Sequence, residues 1–126
     1  MNIINELIKI AKLDKEILAL ILFGSITRQE NLNDSDVDIC IILKPQEYST
    51  KHLSYKKLKY LKEFNLDIQI FQQLPIYIKK RVMKEGKILF CRDEDEMYKI
   101  AFKTMEEFTD FEHIYRDYLK EVAHAG

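Results

Sequence analysis

The chain of 126 residues has little punctuation: only three glycines and two prolines, with no Gly/Ser-rich linker, low-complexity tract or internal repeat. Nothing marks a domain boundary, and a chain of this length can bury one core, so a single domain over 1–126 is expected. Cysteine is equally scarce. Cys40 and Cys91 sit in apolar, strand-like runs with no metal-type spacing, which fits two buried thiols in a reduced cytoplasmic protein rather than a zinc site or a disulfide framework. No apolar run reaches the length of a membrane span. The first residues include Asn5 and Glu6 where a signal peptide would carry a basic segment and an apolar core, so no membrane association and a soluble, cytoplasmic protein are expected. An excess of charge of one sign is missing too. Twenty Lys and Arg stand against 21 Asp and Glu, a formal net charge of −1, and no direct nucleic-acid binding is called for.

The few glycines and prolines that are present bound the elements. Ile3, Ile4, Leu7, Ile8 and Ala11 recur at helical spacing behind Asn2, a suitable cap. Ile17 to Phe23 is an almost unbroken apolar run closed by Gly24, which suits a strand covered on both faces. A short helix and a polar turn at Asn31, Asn33, Asp34 and Ser35 lead to a second strand, Val37 to Leu43, closed by Lys44-Pro45. Thr50 to Phe64 has helix-compatible spacing. Leu66 to Phe71 alternates as a central-looking third strand, with Asp67, Gln69 and Phe71 on one face and Leu66, Ile68 and Ile70 on the other. Pro75 opens a helix that Gly86 ends, Lys87 to Cys91 is a short strand, and Asp93 to about Val122 reads as one or two long helices. The result is an α/β fold with a mixed sheet of about four strands flanked by helices. The sheet is mixed because the link between the first two strands is short for a parallel crossover.

Chemistry concentrates at one end of these strands. Asp36 and Asp38 are separated by one residue, so on a strand they share a face and can grip a pair of divalent cations. Just upstream, the turn Gly24-Ser25 offers backbone N–H groups and a hydroxyl to a phosphate. Asp67 adds a third acid on a later strand. Metal ions clamping the attacking and leaving oxygens are what nucleotidyl transfer requires, and hard carboxylate oxygens are what Mg²⁺ prefers. Asp34 and Ser35 read as turn chemistry. His52, His113 and His124 are scattered singly, and Lys51, Lys56, Lys57, Lys59 and Lys62 read as the solvated face of a helix.

Leu22-Phe23-Gly24-Ser25-Ile26-Thr27-Arg28, Asp34-Ser35-Asp36-Val37-Asp38-Ile39 and Leu66-Asp67-Ile68-Gln69-Ile70 together resemble the signature of the DNA polymerase β-like nucleotidyltransferase superfamily. The short length resembles its minimal nucleotidyltransferases. The resemblance implies the polymerase β-like fold with a long C-terminal helix and an active enzyme. Asp36 and Asp38 would hold two Mg²⁺ ions. Asp67 would complete the catalytic metal site and help deprotonate the acceptor hydroxyl, while Gly24, Ser25 and Arg28 would bind the triphosphate of ATP. Gln29 stands where the family often has glycine.

Minimal nucleotidyltransferases of this kind are frequently antitoxins paired with a HEPN-domain ribonuclease toxin, which they silence by moving AMP from ATP to a tyrosine. The resemblance therefore implies a cognate HEPN toxin as partner in a hetero-oligomer. The chain itself carries no Arg, short spacer, His motif of the toxin type. Two alternatives stay open: transfer to a small molecule such as an antibiotic, and an antitoxin that neutralises by binding alone. Ala101, Met105, Phe108, Tyr115, Leu119 and Val122, widened by Tyr98, Phe102, Phe111 and Tyr118, read as a stripe packed on the sheet, with an aromatic excess that also suits a partner interface.

Overall fold

A computed structural model describes residues 2–24 and 38–124. Helix α1 (Ile3–Leu13) begins where the Asn2 side chain accepts a hydrogen bond from the Ile4 N–H at 2.9 Å, as the cap in the sequence suggests. Strand β1 (Ile17–Phe23) and strand β2 (Asp38–Leu43) follow, then helix α2 (Thr50–Glu63), capped by Ser49 accepting from His52 N–H. Strand β3 (Asp67–Ile70), a 3₁₀ turn at Phe71–Gln73, helix α3 (Ile76–Glu85) between Pro75 and Gly86, strand β4 (Lys87–Cys91) and helix α4 (Glu94–His124) complete the order. The short helix and polar turn predicted between the first two strands, and Val37 at the start of the second, lie outside the described residues.

The strands form one sheet in the order β3-β2-β1-β4. β1 runs antiparallel to both β2 and β4, and β2 runs parallel to β3, so the sheet is mixed as predicted. The consecutive strands β1 and β2 pair antiparallel, whereas α2 provides the crossover that the parallel pair of β2 and β3 needs. Alternation then sorts the residues by face. Leu20, Leu22, Ile39, Ile41, Ile68 and Ile70 pack with α1 and α2 through Leu7, Ala11, Tyr60 and Phe64. Ala19, Ile21, Cys40, Ile42 and Phe71 pack with α3 and the first turns of α4 through Val82 and Met97. Covering both faces explains the continuous apolar runs of β1 and β2, and each fully buried Ile or Leu contributes about 1.5–3 kcal/mol.

Several expectations are corrected. β3 is an edge strand, not a central one, and Phe71 has left it for the 3₁₀ turn. Cys40 is buried, and burial pushes its thiol up out of reach of ionisation, but Cys91 is only half-buried because β4 forms the other edge. The predicted stripe of α4 packs only along its first turns. Met97 and Thr104 are buried and Phe108 is partly covered. Beyond Phe108 the same spacing continues on a face that stays exposed: Phe111 is 41%, Tyr115 52%, Tyr118 60% and Val122 53% exposed. Hydrophobic spacing reports that a face is to be covered, not which molecule covers it.

The lysine-rich face of α2 is not uniformly solvated. Lys56 is buried, and its ammonium lies 2.8 Å from Asp14 Oδ2 and 2.7 Å from Glu16 Oε1. Tyr60 O–H donates to Asp14 Oδ2 at 2.8 Å, and His52 Nε2 lies 2.8 Å from Glu16 Oε1. Burial alone would raise the Asp14 carboxyl, but donation from Lys56 and Tyr60 outweighs it and holds Asp14 below the usual carboxylate range. Donation from Lys56 and then His52 lowers Glu16 in the same way. Arg92 closes this end: Nε donates to Ile17 O at 2.9 Å, and Nη2 reaches the Ala11, Lys12 and Asp14 carbonyls at 3.1–3.2 Å, satisfying the last turn of α1.

Candidate active site

At the opposite end of the sheet the strands present different chemistry. β1 ends at Phe23, whose register partner on β2 is Asp38. The next residue, Gly24, turns the chain with a φ of 87°. That left-handed conformation disfavours a side chain, and a Cβ built there would run into the Asp38 carboxylate at Oδ2. Gly24 is therefore required twice over, and the backbone of the turn rests directly against the acid of the next strand.

Asp38 in turn is the register partner of Asp67 on the parallel neighbour β3. Paired residues of adjacent strands point to the same face, so the two side chains project together on the side that α3 covers. Asp38 is partly buried and Asp67 is exposed, which follows from the position of β3 at the sheet edge. A small cleft of about 200 Å³ opens beside Asp38, lined by Phe23, Gly24, Ile78, Arg81 and Glu85. Arg81 contributes a cation to this lining, with Nε 3.7 Å from Glu85 Oε2 one turn further along α3. Sequence reasoning missed Arg81. Its signal was weak, an arginine on a short amphipathic helix, and only the packing of α3 over the end of β1 brings it to the cleft beside Asp38.

The donor chemistry fits a divalent cation. Like charges placed directly opposite one another on neighbouring strands destabilise a sheet. A cation between hard carboxylate oxygens relieves that repulsion. Among the described residues no group of three or more His, Cys, Asp or Glu side chains is assembled to hold a metal. Asp36, the third acid predicted from the sequence, lies outside the described residues, as do Ser25 and Arg28. Of the six predicted site residues, the structure brings together Gly24, Asp38 and Asp67. Among the described residues no helix is long and apolar enough to cross a membrane.

The mixed four-stranded sheet between helices, with a glycine turn at the end of β1 and acids at the starts of β2 and β3, is the fold of the polymerase β-like nucleotidyltransferases. The chain belongs to that family: the family model described as polymerase beta, nucleotidyltransferase matches residues 5–95. A protein of Methanocaldococcus jannaschii that carries the name of a protein adenylyltransferase is 32% identical over 107 residues, which span 85% of this chain and 76% of the relative. Among solved structures, a toxin–antitoxin structure with AMP-PNP superposes with a TM-score of 0.67 at 19% identity, covering 95% of this chain and 98% of the other. A structure of a tri-AMPylated Shewanella oneidensis HEPN toxin in complex with its MNT antitoxin superposes with a TM-score of 0.66 at 18% identity, covering 96% of each chain. At those identities the superpositions establish the shared fold.

Proposed function

We propose that the chain is a Mg²⁺-dependent protein adenylyltransferase that moves AMP from ATP to a tyrosine hydroxyl of a HEPN toxin, and so acts as the antitoxin of the pair. The observation that carries the chemical part is the register of Asp38 and Asp67 beside the Gly24 turn. In the reaction the tyrosine oxygen attacks the α-phosphorus of ATP. A new P–O bond forms, the bond from that phosphorus to the oxygen bridging to the β-phosphate breaks, and pyrophosphate leaves with the bonding electrons. Bound Mg²⁺ supplies charge neutralisation for the phosphates and leaving group. Asp36, Asp38 and Asp67 hold the metal, and Asp67, the most accessible of the described pair, takes the hydroxyl proton. The Gly24-Ser25 turn and Arg28 bind the phosphates, with Arg81 at the cleft beside Asp38 as a further cation for them.

Two things support the protein acceptor. The relative from Methanocaldococcus jannaschii carries the name of a protein adenylyltransferase, and chains of the same fold occur in toxin–antitoxin complexes, one of them with a toxin bearing AMP. The uncovered half of α4, with Phe111, Tyr115, Tyr118 and Val122 on one stripe, supplies a face for such a partner.

The test is incubation with labelled ATP, Mg²⁺ and the product of the neighbouring reading frame, with toxicity of that product scored in parallel. Label on a tyrosine of the partner, lost in the Asp36→Asn, Asp38→Asn double variant together with neutralisation, is the result expected. No label on a partner that binds overturns the reading. Neutralisation kept by the double variant would make the chain a binding antitoxin.

A further inference from the structure

We infer that Gln69, locked by Lys57, is the positioning residue for Asp67. Asp67 lies exposed on an edge strand, where burial does not hold its side chain in one rotamer. Gln69 stands two residues along the same strand and so on the same face, and its Nε2 donates to Asp67 Oδ1 at 3.2 Å. One carboxylate oxygen is thereby held, and Oδ2 stays outside this bond.

A glutamine alone does not fix a carboxylate, because its amide can turn either end outwards. With the oxygen outwards it would repel Asp67. Lys57 removes that ambiguity: its Nζ lies 3.2 Å from Gln69 Oε1, and an ammonium group can only donate. The amide oxygen must therefore face Lys57 and the amino group must face Asp67. The two ends of the relay agree, since a carboxylate can only accept. Lys57 belongs to α2, which covers the other face of the sheet, and it reaches Gln69 because β3 is the edge strand. The position of β3 thus serves a purpose. It lets a residue from one layer set the orientation of a side chain in the other.

This inference rests on the reading of Asp67 as a site carboxylate, and the experiment separates the two. AMP transfer to the partner is measured alongside Mn²⁺ binding by calorimetry without nucleotide, for Asp67→Asn, Gln69→Leu, Lys57→Met, the Gln69→Leu, Lys57→Met pair and Lys57→Arg, with melting temperatures as the folding control. Gln69→Leu and Lys57→Met are expected to lower kcat and Mn²⁺ affinity by about 10- to 100-fold, the usual cost of losing a group that orients a ligand. The KM for ATP should stay within about twofold. Because Lys57 acts through Gln69, the pair should be no worse than Gln69→Leu alone, and Lys57→Arg, which still donates, should keep most of the activity. Wild-type kcat and Mn²⁺ affinity in Gln69→Leu and Lys57→Met while Asp67→Asn is inactive overturns the relay and leaves the site standing. Independent, multiplying losses in the pair also overturn it. Full activity and Mn²⁺ affinity in Asp67→Asn overturns both.

Discussion

Two groups of carboxylates sit at opposite ends of the same strands, roughly 20 Å apart by the length of β1, and they are treated in opposite ways. At the Ile17 end, Asp14 and Glu16 meet protein cations and donors: Lys56, His52 and the Tyr60 hydroxyl. At the Phe23 end, Asp38 and Asp67 stand opposite each other in register, and the hydrogen bond to Asp67 comes from the neutral amide of Gln69. The first group is closed by the fold and holds α1, β1 and α2 together. The second gathers negative charge beside a cleft that Arg81 also lines, an arrangement that suits a bound cation. The contrast sets acids tied into the fold by Lys56 apart from the acids proposed to serve chemistry.

That contrast can be broken most sharply at the second group. Asp38→Asn is expected to reduce AMP transfer by about 10³-fold or more, since a metal clamp supplies several kcal/mol of transition-state stabilisation. Its stability should change by no more than about 1 kcal/mol, the scale of a cross-strand pair, so that the loss of activity far exceeds any loss of fold. A variant that loses activity because it unfolds would show the pair to be structural after all. Lys56→Met makes the complementary break. It leaves two carboxylates that lie only 13% and 32% exposed without their cation, and should cost about 3–5 kcal/mol in denaturant unfolding, while the folded fraction keeps its KM for ATP. Full stability in Lys56→Met would contradict the assignment of this end.

Gly24→Ala should fall between these effects. The left-handed φ costs an alanine about 1–2 kcal/mol, and the added methyl must displace the Asp38 carboxylate. A misplacement on the order of 1 Å costs about 10²-fold in rate, so kcat should drop further than stability does. Equal and small losses in both would mean that the turn does not position Asp38.

The fold was largely legible in the sequence and the site was legible in part. The ends of β1, α3 and β4 follow from Phe23-Gly24, Pro75, Gly86 and the Lys87 to Cys91 run, because proline and glycine act on the local backbone. The pairing of Asp38 with Asp67 needed the sheet order, and alternation alone could state only that Gln69 shares the Asp67 face. Lys56 and Lys57 were hidden within a lysine run, since composition cannot tell an ammonium buried between Asp14 and Glu16 from one in water. The far half of α4 misled for a related reason. Its stripe of Phe111, Tyr115, Tyr118 and Val122 has core spacing, but among the described residues it stays exposed.

The smallest expected effect is the pH dependence of stability, and it distinguishes the two ends without touching activity. Asp14 and Glu16 titrate below the ordinary carboxylate range in the folded chain, so each contributes stability that is fully present above that range and is lost as pH falls through the lowered value. Burial alone would lower the Lys56 ammonium, but its two acids outweigh burial and raise it. Its contribution is therefore present below the ordinary lysine range and is lost only as pH rises through the raised value. Between those limits the melting temperature should be flat with respect to Asp14, Glu16 and Lys56, and it should drop on the acid side below about pH 4, where unfolded carboxylates take up protons. In Lys56→Met the acid limb should become shallower, because Asp14 and Glu16 no longer have the partner that lowers them most directly. An acid limb that stays as steep in Lys56→Met as in the wild type would contradict the assignment of this end.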